Sequence, residues 1–169
     1  ALQGSARVHQ GSSLDLSDRQ LLQMSRGSGY RMFHVDGAHF AEAAFHDLCT
    51  VSCSLIRGGV LMLDDVFSTG WLGVGEGFHR FMHVQGWLRN ETHIPDLAIE
   101  PFLYVGRLYL THRNYAAIYR QQLRVMLPTL GGDQELMSVK HLYGSEVLCP
   151  KPVRLQLRKK ARTLIPSGG

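Results

Sequence analysis

The chain has 169 residues, of which 44% are hydrophobic and 19% charged, a length and balance that suit one domain with an apolar core and exclude a disordered chain. No apolar run approaches the ~20 residues a membrane-spanning helix needs, and the opening ALQGSARVHQ lacks a charged-then-apolar leader pattern, so a soluble, cytoplasmic setting is expected. The formal charge of +4 belongs to one end: six basic residues and no acidic one follow position 150, leaving twelve basic against fourteen acidic before it. That distribution argues for a basic, flexible tail at 151–169 and against a nucleic-acid groove on the domain at 1–150. Three cysteines are too few for a disulfide framework, and Cys49 and Cys53, four apart, are expected as buried reduced thiols. The chain opens without an initiator methionine, as is expected of a fragment.

In chain order, residues 6–10 form a short strand candidate that ends in the turn Gly11-Ser12-Ser13. Ser17 starts a helix with Gln20 as capping-box partner, and Gly27 ends it. YRMFHVDG (30–37) reads as a strand covered on both faces, with His34 a hydrogen-bonded core residue. Residues 40–56 read as a helix whose apolar side carries Ala41, Ala44, Phe45, Leu48, Val51 and Leu55, with Glu42, His46 and Asp47 on a wetter side. Gly58-Gly59 stops it before the apolar strand VLMLDD (60–65). Residues 30–65 thus spell one right-handed strand–helix–strand crossover. FSTGWLGVGEG reads as a loop running into a helix near 74–84, and 85–98 as a further loop. PFLYVGRLYLT (101–111) reads as one strand, Asn114 as the cap of a helix ended by Pro128, and LMSVKHLYGSEVLC (136–149) as strand with a kink at Gly144. The later elements lack a second crossover helix, which fits an antiparallel pair closing the sheet edge.

Ligands of an open α/β sheet bind outside the carboxyl ends of its strands. Asp36 lies at that end of the first crossover strand and Asp64-Asp65 at that end of the second. Neighbouring strands run ~4.8 Å apart, so three carboxylates converge on one crevice, a crowding that a cation or proton relieves. Oxygen ligands in a half-open site favour Mg²⁺ or another hard divalent ion. His39, three residues past Asp36, can act there as general base, substrate orienter or metal ligand. Trp71 and Phe67 offer an apolar wall for a substrate, or cover for the sheet end.

The segments HVDGAHFAEAAFHDL and IRGGVLMLDDVFSTGWLGVGEGFHRF resemble class I S-adenosylmethionine-dependent methyltransferases of the small-molecule O-methyltransferase group. PFLYVGRLYLT and LYGSEVL are similar to that group's closing antiparallel strands. The resemblance covers residues 6–149. It implies an α/β, Rossmann-like methyltransferase sheet, truncated at the N-terminus and closed by an antiparallel strand pair. It also implies S-adenosyl-L-methionine as methyl donor and a small hydroxylated molecule as acceptor. Metal-dependent relatives bind a divalent ion through an aspartate after the fourth strand and an acidic pair after the fifth, which correspond here to Asp36, Asp64 and Asp65. Gly11-Ser12 corresponds to the turn where the adenine edge rests, so Gly11, Ser12 and Asp36 become the cofactor residues, and His39 with Asp36 the catalytic ones.

The group's first strand, its glycine-rich turn and its ribose-binding acid all precede the third strand, and no Gly-x-Gly turn follows a strand before residue 30 here. Gly73-Val74-Gly75 follows the wrong strand. The strand at 30–36 is therefore expected at an open sheet edge available for self-association. Two functions follow: a metal-assisted O-methyltransferase, or a truncated, non-catalytic relative acting as an interaction module.

Overall fold

The structure, a computed structural model, describes residues 8–91, 95–129 and 137–150. A short 3-10 turn (Ser13–Asp15) leads into helix α1 (Asp18–Met24). Its start is the one the sequence dictates: the Gln20 N–H donates to Ser17 Oγ at 3.3 Å and the Ser17 N–H to Gln20 Oε1 at 2.8 Å, satisfying two otherwise orphaned donors. Strand β1 (Tyr30–Val35), helix α2 (Ala41–Ser54) and strand β2 (Leu55–Leu63) follow. β1 and β2 pair in parallel, with Val35 opposite Leu63, so the expected crossover is formed. Helix α3 (Leu72–Glu91), a 3-10 turn (Pro95–Leu97), strands β3 (Ile99–Tyr104) and β4 (Leu108–His112), helix α4 (Arg113–Thr129) and strands β5 (Met137–Leu142) and β6 (Ser145–Pro150) complete the described chain.

The six strands form one sheet in the order β1-β2-β4-β3-β6-β5. β1–β2 and β3–β6 are parallel and the other pairings antiparallel. This is the α/β, Rossmann-like sheet expected, with β5–β6 as the antiparallel pair at one edge. β1 is the other edge, where the sequence placed it.

Strand alternation sorts the residues onto two faces. Leu61, Leu63, Leu108 and Leu110 join Leu48, Phe78 and Phe81 in the core beneath α2 and α3. Glu100 and Thr111, which pair across β3 and β4, point the other way, and Glu100 meets Arg120 of α4 there. The helices α2 and α3 touch almost backbone to backbone. A Cβ built on Gly77 would lie 2.6 Å from the Ala41 carbonyl oxygen and 2.7 Å from Ala44 Cβ, closer than any side chain allows, so only glycine fits.

Several expectations are corrected. Gly58-Gly59 does not stop α2: the chain turns into β2 at Leu55, and Gly58, at φ +74°, lies within β2 where Tyr115 and Tyr119 of α4 press on it. β1 is covered on one face only; Val35 is buried while Met32 and His34 are exposed, because no described helix lies over the far face of this edge. Asp47, assigned to the wet side of α2, is buried. The loop expected from 85 is helix as far as Glu91, because the buried Gln85 accepts the Ile99 N–H at 2.7 Å through its side-chain oxygen. Residues 101–111 are not one strand but part of a hairpin turned at Gly106 (φ +72°), and of 136–149 the described residues, from Met137 on, form a second hairpin turned at Tyr143-Gly144 (φ +51° and +77°). Pro101, which has no N–H to give a neighbour, lies beside the register break between positions 101 and 103, as a proline inside a sheet requires. Cys53 is exposed rather than buried, and all three cysteines are free. Residues 8–10 form no strand; positions 6–7 and the tail at 151–169 lie outside the described residues. No helix among the described residues is long and apolar enough to cross a membrane.

Candidate active site

The parallel register sets the site. The Asp64 N–H donates to the Val35 carbonyl at 3.1 Å, carrying the ladder one step past both strands and placing Asp36 beside Asp64. The chain then reverses. Asp65 adopts φ +53°, a left-handed conformation costing about 1 kcal/mol in a non-glycine residue, and its N–H is held by Asp64 Oδ1 at 3.1 Å. The Ser68 N–H closes the turn on the Asp65 carbonyl at 2.9 Å.

This reversal brings Asp65 to His39. Its Oδ2 lies 3.1 Å from His39 Nε2, and Asp36 Oδ1 lies 3.8 Å from the same nitrogen. On the other side of Asp36, His34 Nε2 stands 3.6 Å from Asp64 Oδ2. The carboxylates therefore fall into two groups that share Asp36, one with His34 and Asp64 and the other with His39 and Asp65, the ligand atoms of each lying within 4.8 Å of one another. His34 is thus no core residue; it is an exposed neighbour of the acidic pair.

The two groups differ in charge balance. Arg107, carried on the β3–β4 turn, donates from Nε to Asp64 Oδ2 at 2.7 Å. This guanidinium beside Asp64 holds its carboxyl below the usual carboxylate range, aided by the Asp65 N–H and opposed by partial burial. The pairing with Asp64 likewise raises the Arg107 guanidinium above its ordinary value. Among the described residues no lysine or arginine makes an ion pair with Asp36 or Asp65, although the Arg107 charge also acts on Asp36. Reading 101–111 as a single strand hid Arg107; the signal that could have revealed it is a glycine-containing gap of three residues between two short apolar runs.

The walls come from α3 and the loop before it. The Trp71 ring stacks on His39, centroids 4.4 Å apart at 25°, and the residue is half exposed. Phe67 meets Tyr104 edge-on at 5.1 Å. A Cβ on Gly73 would fall 2.6 Å from the His39 carbonyl and 2.7 Å from Phe40 Cα, so the first turn of α3 rests on the backbone of the His39 loop. Beneath Asp36 and Gly37 lies a hollow of about 10 Å³ lined also by His39, Asp64, Val74 and the buried Asp47, room for a single water. Asp47 was missed because its position on α2 reads as solvent-facing. Gly11 and Ser12 are exposed; Ser12 Oγ accepts the Leu14 N–H at 3.2 Å, and among the described residues neither bonds to the crevice.

A family model described as a methyltransferase domain matches residues 1–66. The matched span contains β1, α2 and β2 together with Asp36, His39, Asp64 and Asp65, and it supports a methyltransferase domain in this part of the chain. No curated protein and no solved structure matches the chain.

Proposed function

We propose that the chain serves an S-adenosyl-L-methionine-dependent methyltransferase that modifies an oxygen of a small hydroxylated molecule with the help of a divalent ion. The observation that carries this reading is the convergence of Asp36, His39 and Asp65 at the ends of two parallel strands inside the span matched by the methyltransferase family model.

The donor set fits a divalent ion. Two carboxylates without an arginine or lysine ion pair among the described residues, beside an imidazole in a half-open crevice, suit Mg²⁺ or another hard ion, which would relieve their mutual repulsion. When bound, the ion supplies a lowered pKa to an acceptor hydroxyl and a fixed place for its oxygen. The protein side of the chemistry follows from the hydrogen bonds. His39, held by Asp65 through Nε2 at 3.1 Å, would take the hydroxyl proton as general base. The Trp71 stack restrains the His39 ring, and the half-exposed indole offers an apolar surface to the acceptor. Asp64, paired with Arg107 at 2.7 Å, would complete the carboxylate set that holds the ion. The methyl donor is assigned to Gly11, Ser12 and Asp36: nothing lies within 4 Å of a Cβ placed on Gly11, so a planar group can lie flat on that turn. The reading includes association of two copies through the free edge of β1, measurable as amide protection of residues 30–35 that grows with protein concentration.

Calorimetric titration with S-adenosylhomocysteine, followed by transfer of labelled methyl groups to a panel of small phenols and alcohols, tests it. Binding below millimolar ligand is expected, with transfer reduced about a hundredfold in Asp36→Asn and Asp65→Asn, as loss of a group that acts on the reacting atoms entails. No binding at millimolar ligand overturns the reading in favour of a non-catalytic interaction module.

A further inference from the structure

α3 carries a second cluster that the acidic crevice does not use. His79 and His83 are both exposed on its outer face and lie one turn apart, the spacing that stacks two side chains on one side of a helix. Their Nε2 atoms are 3.0 Å from each other. Two imidazoles bound to one tetrahedral ion at ~2.0–2.1 Å hold their nitrogens roughly 3.3 Å apart. The pair is within a few tenths of an ångström of that arrangement before any ion arrives.

A distant part of the chain independently prepares the same ring. The Tyr143 hydroxyl stands 2.6 Å from His79 Nδ1. Tyr143 is fixed in the β5–β6 turn, with its ring edge-on to the buried Phe78 at 5.6 Å. A phenol oxygen that accepts the Nδ1–H commits the proton to that nitrogen and directs the Nε2 lone pair toward His83, which is the role that outer hydrogen-bond partners play for metal-binding histidines. Of the cations on the same helix, Arg80 is paired with Glu76 at 2.5 Å and Glu42 at 3.5 Å, and Arg89 donates to the Tyr143 carbonyl at 3.4 Å.

We propose that His79 and His83 form a site for a borderline divalent ion of the zinc, nickel and copper class, with Tyr143 as a positioning residue. Imidazole nitrogens select such ions over Mg²⁺, which demands oxygen ligands, so the site is chemically distinct from the acidic crevice. His83 and Tyr143 also line a cavity of about 410 Å³ between α3 and β3, which Gln85, Arg89, Trp87 and Glu100 share. An ion held by two protein nitrogens would keep two of four coordination positions open, for water or for a small carboxylate or thiolate ligand admitted through the cavity that His83 lines.

Titration of the full chain with zinc chloride, followed by calorimetry and by ¹⁵N resonances of the histidine side chains, decides the matter. The first equivalent of Zn²⁺ is expected to move the Nε2 signals of His79 and His83 and to bind Asp65→Asn as tightly as the unaltered protein. Millimolar Mg²⁺ is expected to leave both signals in place. His79→Ala and His83→Ala, exposed positions whose loss leaves the fold intact, should each weaken binding more than about tenfold, and Tyr143→Phe by about tenfold through the lost outer partner. Zinc affinity unchanged in His83→Ala, or first shifts at His34 and His39 instead, overturns the proposal. Neither result touches the methyltransferase reading, which the donor titration tests separately.

Discussion

The two faces of the sheet are held by different means. On one, α2 and α3 close over leucines and phenylalanines through contacts so tight that Gly73 and Gly77 have no room for a methyl group. On the other, α4 buries only Ala116 among its described side chains and is tied down by polar anchors. The Tyr119 hydroxyl donates to the Gly58 carbonyl, Arg120 reaches Glu100 at 3.3 Å and the Glu146 carbonyl at 3.1 Å, and Arg124 reaches the Glu146 carboxylate at 3.0 Å. The dry face fixes volume and the polar face fixes partners. The acidic crevice adjoins the dry side, where Gly73 of α3 rests on the backbone of the His39 loop.

The comparison can be broken most forcefully at its tightest and its most charged points. Arg120→Met strands the buried Glu100 carboxylate, and loss of one partner of such a pair costs about 3–5 kcal/mol. Ser145 Oγ, 3.2 Å from Glu100 Oε2, compensates only in part. Pairing it with Glu100→Gln should restore much of the loss in urea denaturation; no restoration would mean that packing, not charge, secures α4. Gly77→Val should cost about 3 kcal/mol by overpacking, a fall of roughly 6–12 °C in Tm. Gly86→Ala, in the same helix with nothing within 4 Å, should instead gain about 0.5–1 kcal/mol. Equal effects at the two positions would show that α2 and α3 are not in the close contact described.

Smaller effects sharpen the contrast through pH. His112 is buried with Nδ1 unpartnered, and burial, then the Arg57 charge, pushes its pKa below the ordinary 6.5. The unfolded chain takes up a proton near that ordinary value while the folded one does not. Its contribution is therefore complete above pH 6.5 and is lost as pH falls toward the lowered folded value. Urea midpoints measured downward from pH 8 should decline less in His112→Gln. The smallest effect is expected at Arg107→Ala, on an exposed turn: stability stays nearly constant, while the Asp64 carboxyl, followed by NMR, titrates at higher pH. An unmoved Asp64 would show that Arg107 does not set its charge.

How much of this the sequence reveals depends on whether the signal is local. Ser17 and Gln20 announce α1 because a capping box is complete within four residues. The crossover from Tyr30 to Asp65 shows itself because two apolar runs flank a helical period, and with it come Asp36, His39, Asp64 and Asp65, which the structure gathers at adjacent strand ends. The hairpins are hidden because Tyr143-Gly144 uses a tyrosine where an asparagine or aspartate would normally mark a turn with two positive φ values. The extension of α3 is hidden because Gln85 looks like a loop residue until its partner, the Ile99 N–H, comes from another element. Gly73 and Gly77 look like loop glycines for the same reason: the atoms that forbid a side chain belong to a different helix. The pairings of Arg107 with Asp64 and of Tyr143 with His79 are long-range, and no spacing rule reports them.

The turn at Gly106 places Arg107 outside every packed layer, attached to the framework by a few backbone atoms and to the crevice by one ion pair. One codon at that position therefore changes the formal charge around Asp64 by a full unit while the sheet beneath stays as it is. Folding and electrostatic tuning are written in separable parts of the chain, so the crevice can be adapted to a differently charged guest without renegotiating the architecture that holds it.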